Sequence, residues 1–236
     1  MKRILHFATY MLLLAAVITA NAGEVIDGIV ITVNHEPIFR GDWDEAVSYE
    51  LFMQRRPLAE VTAADRVTAL QRLIDRQLLK AQMLDSHSMQ PSDGELQNDL
   101  AKLRSQVPEG KDEQSWRKLL ASYGLSEELL KEHLRTEVQV MNFVEVRLRP
   151  NVHVQPEEIE AYYNRQLLPD LEKTGSKIIS FADVEPRIRE LLTQQHMDEL
   201  LDAWLYNLRQ QADIQSSVQI PALNRSIGEP RASGTF

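Results

Sequence analysis

Six histidines and 35 acidic residues are the side chains of this 236-residue chain that could bind a metal or move a proton. The histidines stand at positions 6, 35, 87, 133, 153 and 196, and none is joined by a second ligand three or four residues away in a way that suggests a metal site. They read as solvated or capping residues. Paired carboxylates can do acid–base work wherever two meet in space, which a sequence leaves open. Glu157, Glu158 and Glu160, however, follow Pro156, where carboxylates complement the positive end of a helix. Asp198, Glu199 and Asp202 fit a solvated helix face. The chain has no cysteine, hence no thiol nucleophile and no disulfide, and it has no G-x-S-x-G elbow. It also lacks both G-x-x-x-x-G-K-[ST] and G-x-G-x-x-G, so no nucleotide site is legible. The Asn224-Arg225-Ser226 sequon reads as accidental. The expectation is a protein that is not an enzyme and works without metal, cofactor or ATP.

The start of the chain points to export. Lys2 and Arg3 precede an uncharged apolar run from Ile4 to Ile18, and Ala20-Asn21-Ala22 has the small-residue form of a signal peptidase site. Residues 1–22 are therefore expected to be a signal peptide cut after Ala22. The rival is an uncut segment that tethers the protein to the inner membrane. No later stretch is long and apolar enough to span a bilayer, so no stable membrane insertion is expected after cleavage. Cleavage removes Lys2 and Arg3 and no acid, which takes the formal charge from −9 to −11. Such a balance argues against a nucleic-acid partner.

The elements that would position any site are mostly helical. Val25 to Val33 is short and β-branched, Asn34 to Pro37 reads as a turn, and Ile38-Phe39 as the return strand of a small hairpin. Trp43, Ala46, Val47 and Leu51 then recur at helical spacing, and Val67, Leu70, Ile74, Leu78 and Ala81 mark a helix from about Thr62 to Ser86. Ser92 and Glu95 have the form of a capping box. Trp116 to Tyr123 is a short helix stopped by Gly124, and Ser126 can cap the next. There Leu130, Leu134, Val138, Met141, Val144 and Leu148 form one stripe that is expected to be buried throughout. Pro150 ends that helix and Pro156 opens another. Gln166 to Ser180 is irregular. The last helix, from about Ser180 to Ala212, carries Phe181, Val184, Ile188 and Leu191 on one face and Leu201, Trp204, Leu205 and Leu208 on another, which predicts two different neighbours. Val218 and Ile220 suggest a final strand, and 221–236 a disordered tail.

Some apolar residues miss these stripes. Phe52 lies about opposite Trp43, Leu79 and Met83 pair one turn apart away from the Val67 to Ala81 face, and Phe143 sits off the Leu130 to Leu148 stripe. Helices buried on two sides would explain them. So would an open apolar crevice, in which Met and aromatic side chains accommodate many sequences. On the second reading Phe52, Leu79, Met83 and Phe143 are the candidate peptide-binding residues.

Taken in order, these segments resemble the SurA family of periplasmic chaperones for outer-membrane proteins. The resemblance rests on Gly28-Ile-Val-Ile-Thr-Val-Asn34, Leu73-Ile-Asp-Arg-Gln-Leu-Leu-Lys80 and Leu134-Arg-Thr-Glu-Val-Gln-Val-Met141. It continues through Val146-Arg-Leu-Arg149, Val152-His-Val154, Pro156-Glu-Glu158 and Tyr162-Tyr-Asn164 to Phe181-Ala-Asp-Val-Glu-Pro-Arg-Ile-Arg189 and Trp204-Leu-Tyr-Asn-Leu208. Family members usually carry one or two parvulin-type prolyl isomerase domains before the final helix. Here only sixteen residues separate Asn164 from Phe181, too few for a domain of about a hundred. The resemblance implies a chaperone core alone, residues 23–220, mainly α with a small β-hairpin and completed by a long C-terminal helix and short strand. It implies a periplasmic holdase for unfolded or partly folded polypeptides, above all outer-membrane β-barrel precursors. The alternatives are a dedicated assembly or scaffold protein with one partner and, more remotely, a prolyl isomerase.

Overall fold

The computed structural model describes residues 28–83 and 89–217. The expected signal peptide (1–22), the tail (221–236) and the strand expected at Val218 and Ile220 lie outside the described residues.

Strands β1 (Ile29–Val33) and β2 (Glu36–Phe39) pair antiparallel, with Thr32 opposite Pro37 and Val33 opposite Glu36. The turn is shorter than the four residues expected. Asn34 (φ 49°) and His35 (φ 72°) both take the left-handed region, which makes the two-residue turn whose twist suits a hairpin. Glu36 and Pro37 are thereby drawn into the strand. Pro37 is tolerated because β2 is an edge strand, where a missing N–H costs little. Across the sheet β3 (Ile214–Ser216) joins the other side of β1, giving the order β2-β1-β3. Asn34 secures this closure: its N–H donates to the Asp213 carbonyl at 2.8 Å, and its side-chain oxygen accepts from the Asp213 N–H at 3.0 Å. The two ends of the described chain thus share a sheet.

The helices start where their caps dictate. After α1 (Arg40–Met53), helix α2 (Ala63–Gln82) opens on a reciprocal box between Thr62 and Asp65, and α3 (Asp93–Ser105) on one between Ser92 and Glu95. Arg56 grips Asp65 with two hydrogen bonds, at 2.7 and 3.0 Å, and with Thr62 holds that carboxyl well below the usual carboxylate range. Helix α4 (Glu113–Ser122) ends at Gly124, whose φ of 70° lets the Leu125 N–H turn back to the Leu120 carbonyl. Ser126 caps α5 (Glu127–Leu148). After α6 (Pro156–Tyr162) the chain stays helical where an irregular stretch was expected, passing through a π turn (Tyr163–Leu167) into α7 (Leu168–Thr174). Pro169 obscured this in the sequence. It cannot donate to the carbonyl four residues back, and the wide turn just before it takes up the broken ladder. Helix α8 (Phe181–Gln211) begins after its cap Ser180.

Three apolar clusters hold these elements. The first joins the sheet to α1, α2, α3, α4 and the start of α5, through residues such as Ile31, Leu51, Leu70, Trp116 and Leu130. The second unites Leu79 of α2, Val144 and Leu148 of α5, and Leu201 and Leu205 of α8. The third packs Ile159 of α6 on Val184, Ile188 and Leu192 of α8. The last helix therefore has two sets of neighbours on its two faces, although Leu191, expected on the first face, is exposed and Leu192 packs instead. Between clusters the Arg209 guanidinium clamps Asp75 through Nε–Oδ1 at 2.7 Å and Nη2–Oδ2 at 2.6 Å, both side chains buried. This pair fastens α8 to α2.

One expectation fails on α5. Leu130, Leu134, Val144 and Leu148 are buried, but Met141 on the same face is 63% exposed. The reason is length: 22 residues span about 33 Å, and α5 serves the first cluster at one end and the second at the other. Met141 falls between them.

Candidate functional site

The four residues singled out from the sequence separate into two environments. Phe52 is 5% exposed and meets Trp116 and Tyr123 edge-on, with ring centroids at 6.0 and 5.4 Å. It joins α1 to α4 inside the first cluster. Leu79 is equally sealed, but in the second cluster, beneath α5 and α8. Met83, one turn further on, closes α2 and is half-buried. Phe143 is also half-buried and lies 5.8 Å from the Trp204 ring, at a tilt of 45°. Trp204 packs in turn against the cluster that contains Leu79.

The structure thus links Leu79 to Phe143 through Trp204, and leaves Phe52 in a separate body of packing. Helix α5 sets Phe143 about 60° from Val146, which is 60% exposed, and on the far side from Met141. Helix α8 supplies Trp204, and the Arg147 guanidinium lies 5.9 Å from its ring. An aromatic pair half in water, with a cation over one ring and aliphatic neighbours, offers apolar contact without a fixed hydrogen-bonding pattern. Such a surface can hold chain segments of many sequences. Trp204, Arg147 and Val140, which packs against the second cluster, were not among the residues singled out from the sequence. Trp204 stood in a helical stripe and passed for core, and a pairing between residues 61 positions apart has no local signature.

A second gathering of side chains is polar and lies between α1, α2 and α5. Tyr49 and His133 stack with centroids 4.5 Å apart and planes within 15°. The Tyr49 hydroxyl donates to Glu137 Oε2 at 2.6 Å. Burial first, and the Glu137 charge second, push this phenol far above its ordinary range, so it stays a donor. His133 Nε2 is 2.8 Å from Glu45 Oε1 yet out of line for a hydrogen bond. Burial lowers the His133 pKa, against the opposing pull of Glu45. Beside it Arg72 meets Glu50 at 3.1 Å, and burial raises the Glu50 carboxyl despite that partner. Among the described residues no group of three or more His, Cys, Asp or Glu is placed to hold a metal ion. Nor is any helix among them long and apolar enough to cross a membrane.

Comparison with protein families supplies the relationship. The model of the SurA-like N-terminal domain matches residues 3–144, more than half of the chain. The chain belongs to this family. The SurA-like match takes in the hairpin, α1 to α4 and α5 as far as Val144, so it includes Phe143 but stops before α8 and Trp204. No curated protein matches the chain. The mainly helical fold with a small antiparallel sheet agrees with the architecture expected from the sequence, and residues 165–180 form the end of the π turn, α7 and a short link to α8.

Proposed function

We propose that this SurA-like protein is an ATP-independent holdase of the periplasm, which binds unfolded or partly folded polypeptides and keeps them from aggregating. Outer-membrane β-barrel precursors are the client class. Residues 23–220 act as the chaperone core after cleavage behind Ala22, with 221–236 as a tail. The reading rests on the family and on one observation, the half-buried pair of Phe143 and Trp204 over the second cluster. Clients lie across this pair, with Leu79 supporting it from below, and Met83 at the end of α2 adds a further apolar contact. Phe52 supports the fold and not the contact surface. Contacts of this kind are individually weak, which suits release without nucleotide. The net negative charge keeps the loaded protein soluble.

The test is light scattering of a urea-diluted outer-membrane β-barrel protein, without nucleotide, in the presence of the purified protein or an unrelated acidic helical control. Suppression of aggregation that is weakened by Phe143→Ser, with the fold retained, is the expected result. Scattering no lower than with the control rejects the holdase. A dedicated scaffold for one partner is the second reading, and the sixteen residues between Asn164 and Phe181, too few for an isomerase domain, put a prolyl isomerase behind both. Competition separates the two, since unrelated unfolded chains displace a client from a general holdase and leave a scaffold's partner in place.

A further inference from the structure

The polar gathering between α1, α2 and α5 has no part in the proposed client surface, and its composition is unusual for a helix seam. His133 projects from α5 and is 8% exposed. From α1 it faces Tyr49, which covers one side of the ring, and Glu45, 2.8 Å from Nε2. From α2 Arg76 acts on it, and from its own helix Glu137, which is engaged by the Tyr49 hydroxyl. Glu50 of α1 and Arg72 of α2 complete the charged surroundings as a pair at 3.1 Å. We propose that His133 is an acid-sensitive latch: its neutral ring closes α5 onto α1, and a proton on that ring loosens this seam ahead of the rest of the fold.

The neutral ring suits the place. It stacks flat on Tyr49, and its buried Nε2 lacks a properly aligned partner. A cationic ring needs both nitrogens solvated or hydrogen-bonded, and burial denies water to Nε2. Glu45 draws the proton on, but it is 38% exposed and misaligned, and Glu137 already accepts from Tyr49. Arg76 opposes a second cation. Burial and Arg76 therefore prevail, and the folded protein takes up the proton less readily than the unfolded chain. The sign follows. Stability is complete above the unfolded value of about 6.5 and is lost as pH falls from there toward the lower folded value, by at most about tenfold in the folding constant per pH unit. The other histidine between helices, His196, meets Glu158 at 3.4 Å between α6 and α8 but is 32% exposed, so it does not share the sealed setting of His133.

Two measurements on the intact protein test the latch. The first follows each histidine by NMR from pH 8 to 4.5, where His133 is expected to titrate below 6.5. The second compares ANS binding at pH 7.5 and 5.0, where the dye reports newly exposed apolar surface. ANS fluorescence is expected to rise at pH 5.0 in the wild type and to stay flat in His133→Gln. A His133 midpoint at or above 6.5 overturns the proposal, and so does an equal rise in both proteins. Should His133→Gln fail to fold, the wild-type titration decides alone.

Discussion

Phe52 and Phe143 pose the same question in the sequence, since each is an aromatic residue off the main stripe of its helix. The structure answers it in opposite ways. Phe52 belongs to a layer where the sheet and four helices close on α1 from several sides, and its ring is held by Trp116 and Tyr123. Phe143 belongs to a stretch where α5 packs Val144 and Leu148 against α2 and α8, meets Trp204 of α8 through its own ring, and leaves Met141 and Val146 in water. The difference lies in the number of elements that reach each helix, not in the residue. A first cluster covered on every side stores stability. The second has a half-buried rim, where the rings of Phe143 and Trp204 keep part of their surface in water.

The sharpest way to break this comparison is to attack what joins the two regions. Asp75→Ala leaves the Arg209 guanidinium buried and unpaired, and is expected to cost about 3–5 kcal/mol in urea unfolding. The double variant Asp75→Leu with Arg209→Met removes both charges and should recover most of that loss. A small effect in the single variant would mean that the closure between α2 and α8 contributes little, and that the second cluster holds without it. Phe52→Ala tests the sealed side in the same assay. The cavity it leaves among Trp116 and Tyr123 should cost about 3–5 kcal/mol, while client binding per folded molecule stays unchanged.

Much of the architecture is written locally. Thr62 with Asp65, Ser92 with Glu95, Ser126 and Ser180 each start a helix by chemistry confined to three or four residues, so the sequence shows them directly. The two faces of α8 are equally legible, because a 100° step per residue separates Ile188 from Leu205. What could not be read is whatever depends on how many neighbours arrive. Met141 has the spacing of a core residue and is in water, and Leu191 loses its place to Leu192 one position on. Trp204 was visible as apolar, but nothing local says that Phe143 comes to lie against it. The candidate site was therefore half legible: its residue types stood out, and its boundary did not.

The smallest effects on stability should accompany the largest effects on binding. Phe143→Ser removes a half-buried ring and should cost only about 1 kcal/mol, far less than Phe52→Ala. Met141→Ser, at a side chain 63% exposed, should shift stability by no more than about 0.5 kcal/mol. In the scattering assay the order is expected to reverse, with Phe143→Ser weakening aggregation suppression and Phe52→Ala sparing it at temperatures where the variant stays folded. Met141→Ser then decides how wide the contact surface is. Met141 and Phe143 point to opposite sides of α5, so one extended segment can touch both only by crossing the helix. A loss of suppression in Met141→Ser would extend the surface around the exposed middle of α5, and an unchanged activity would confine clients to the side shared with Trp204.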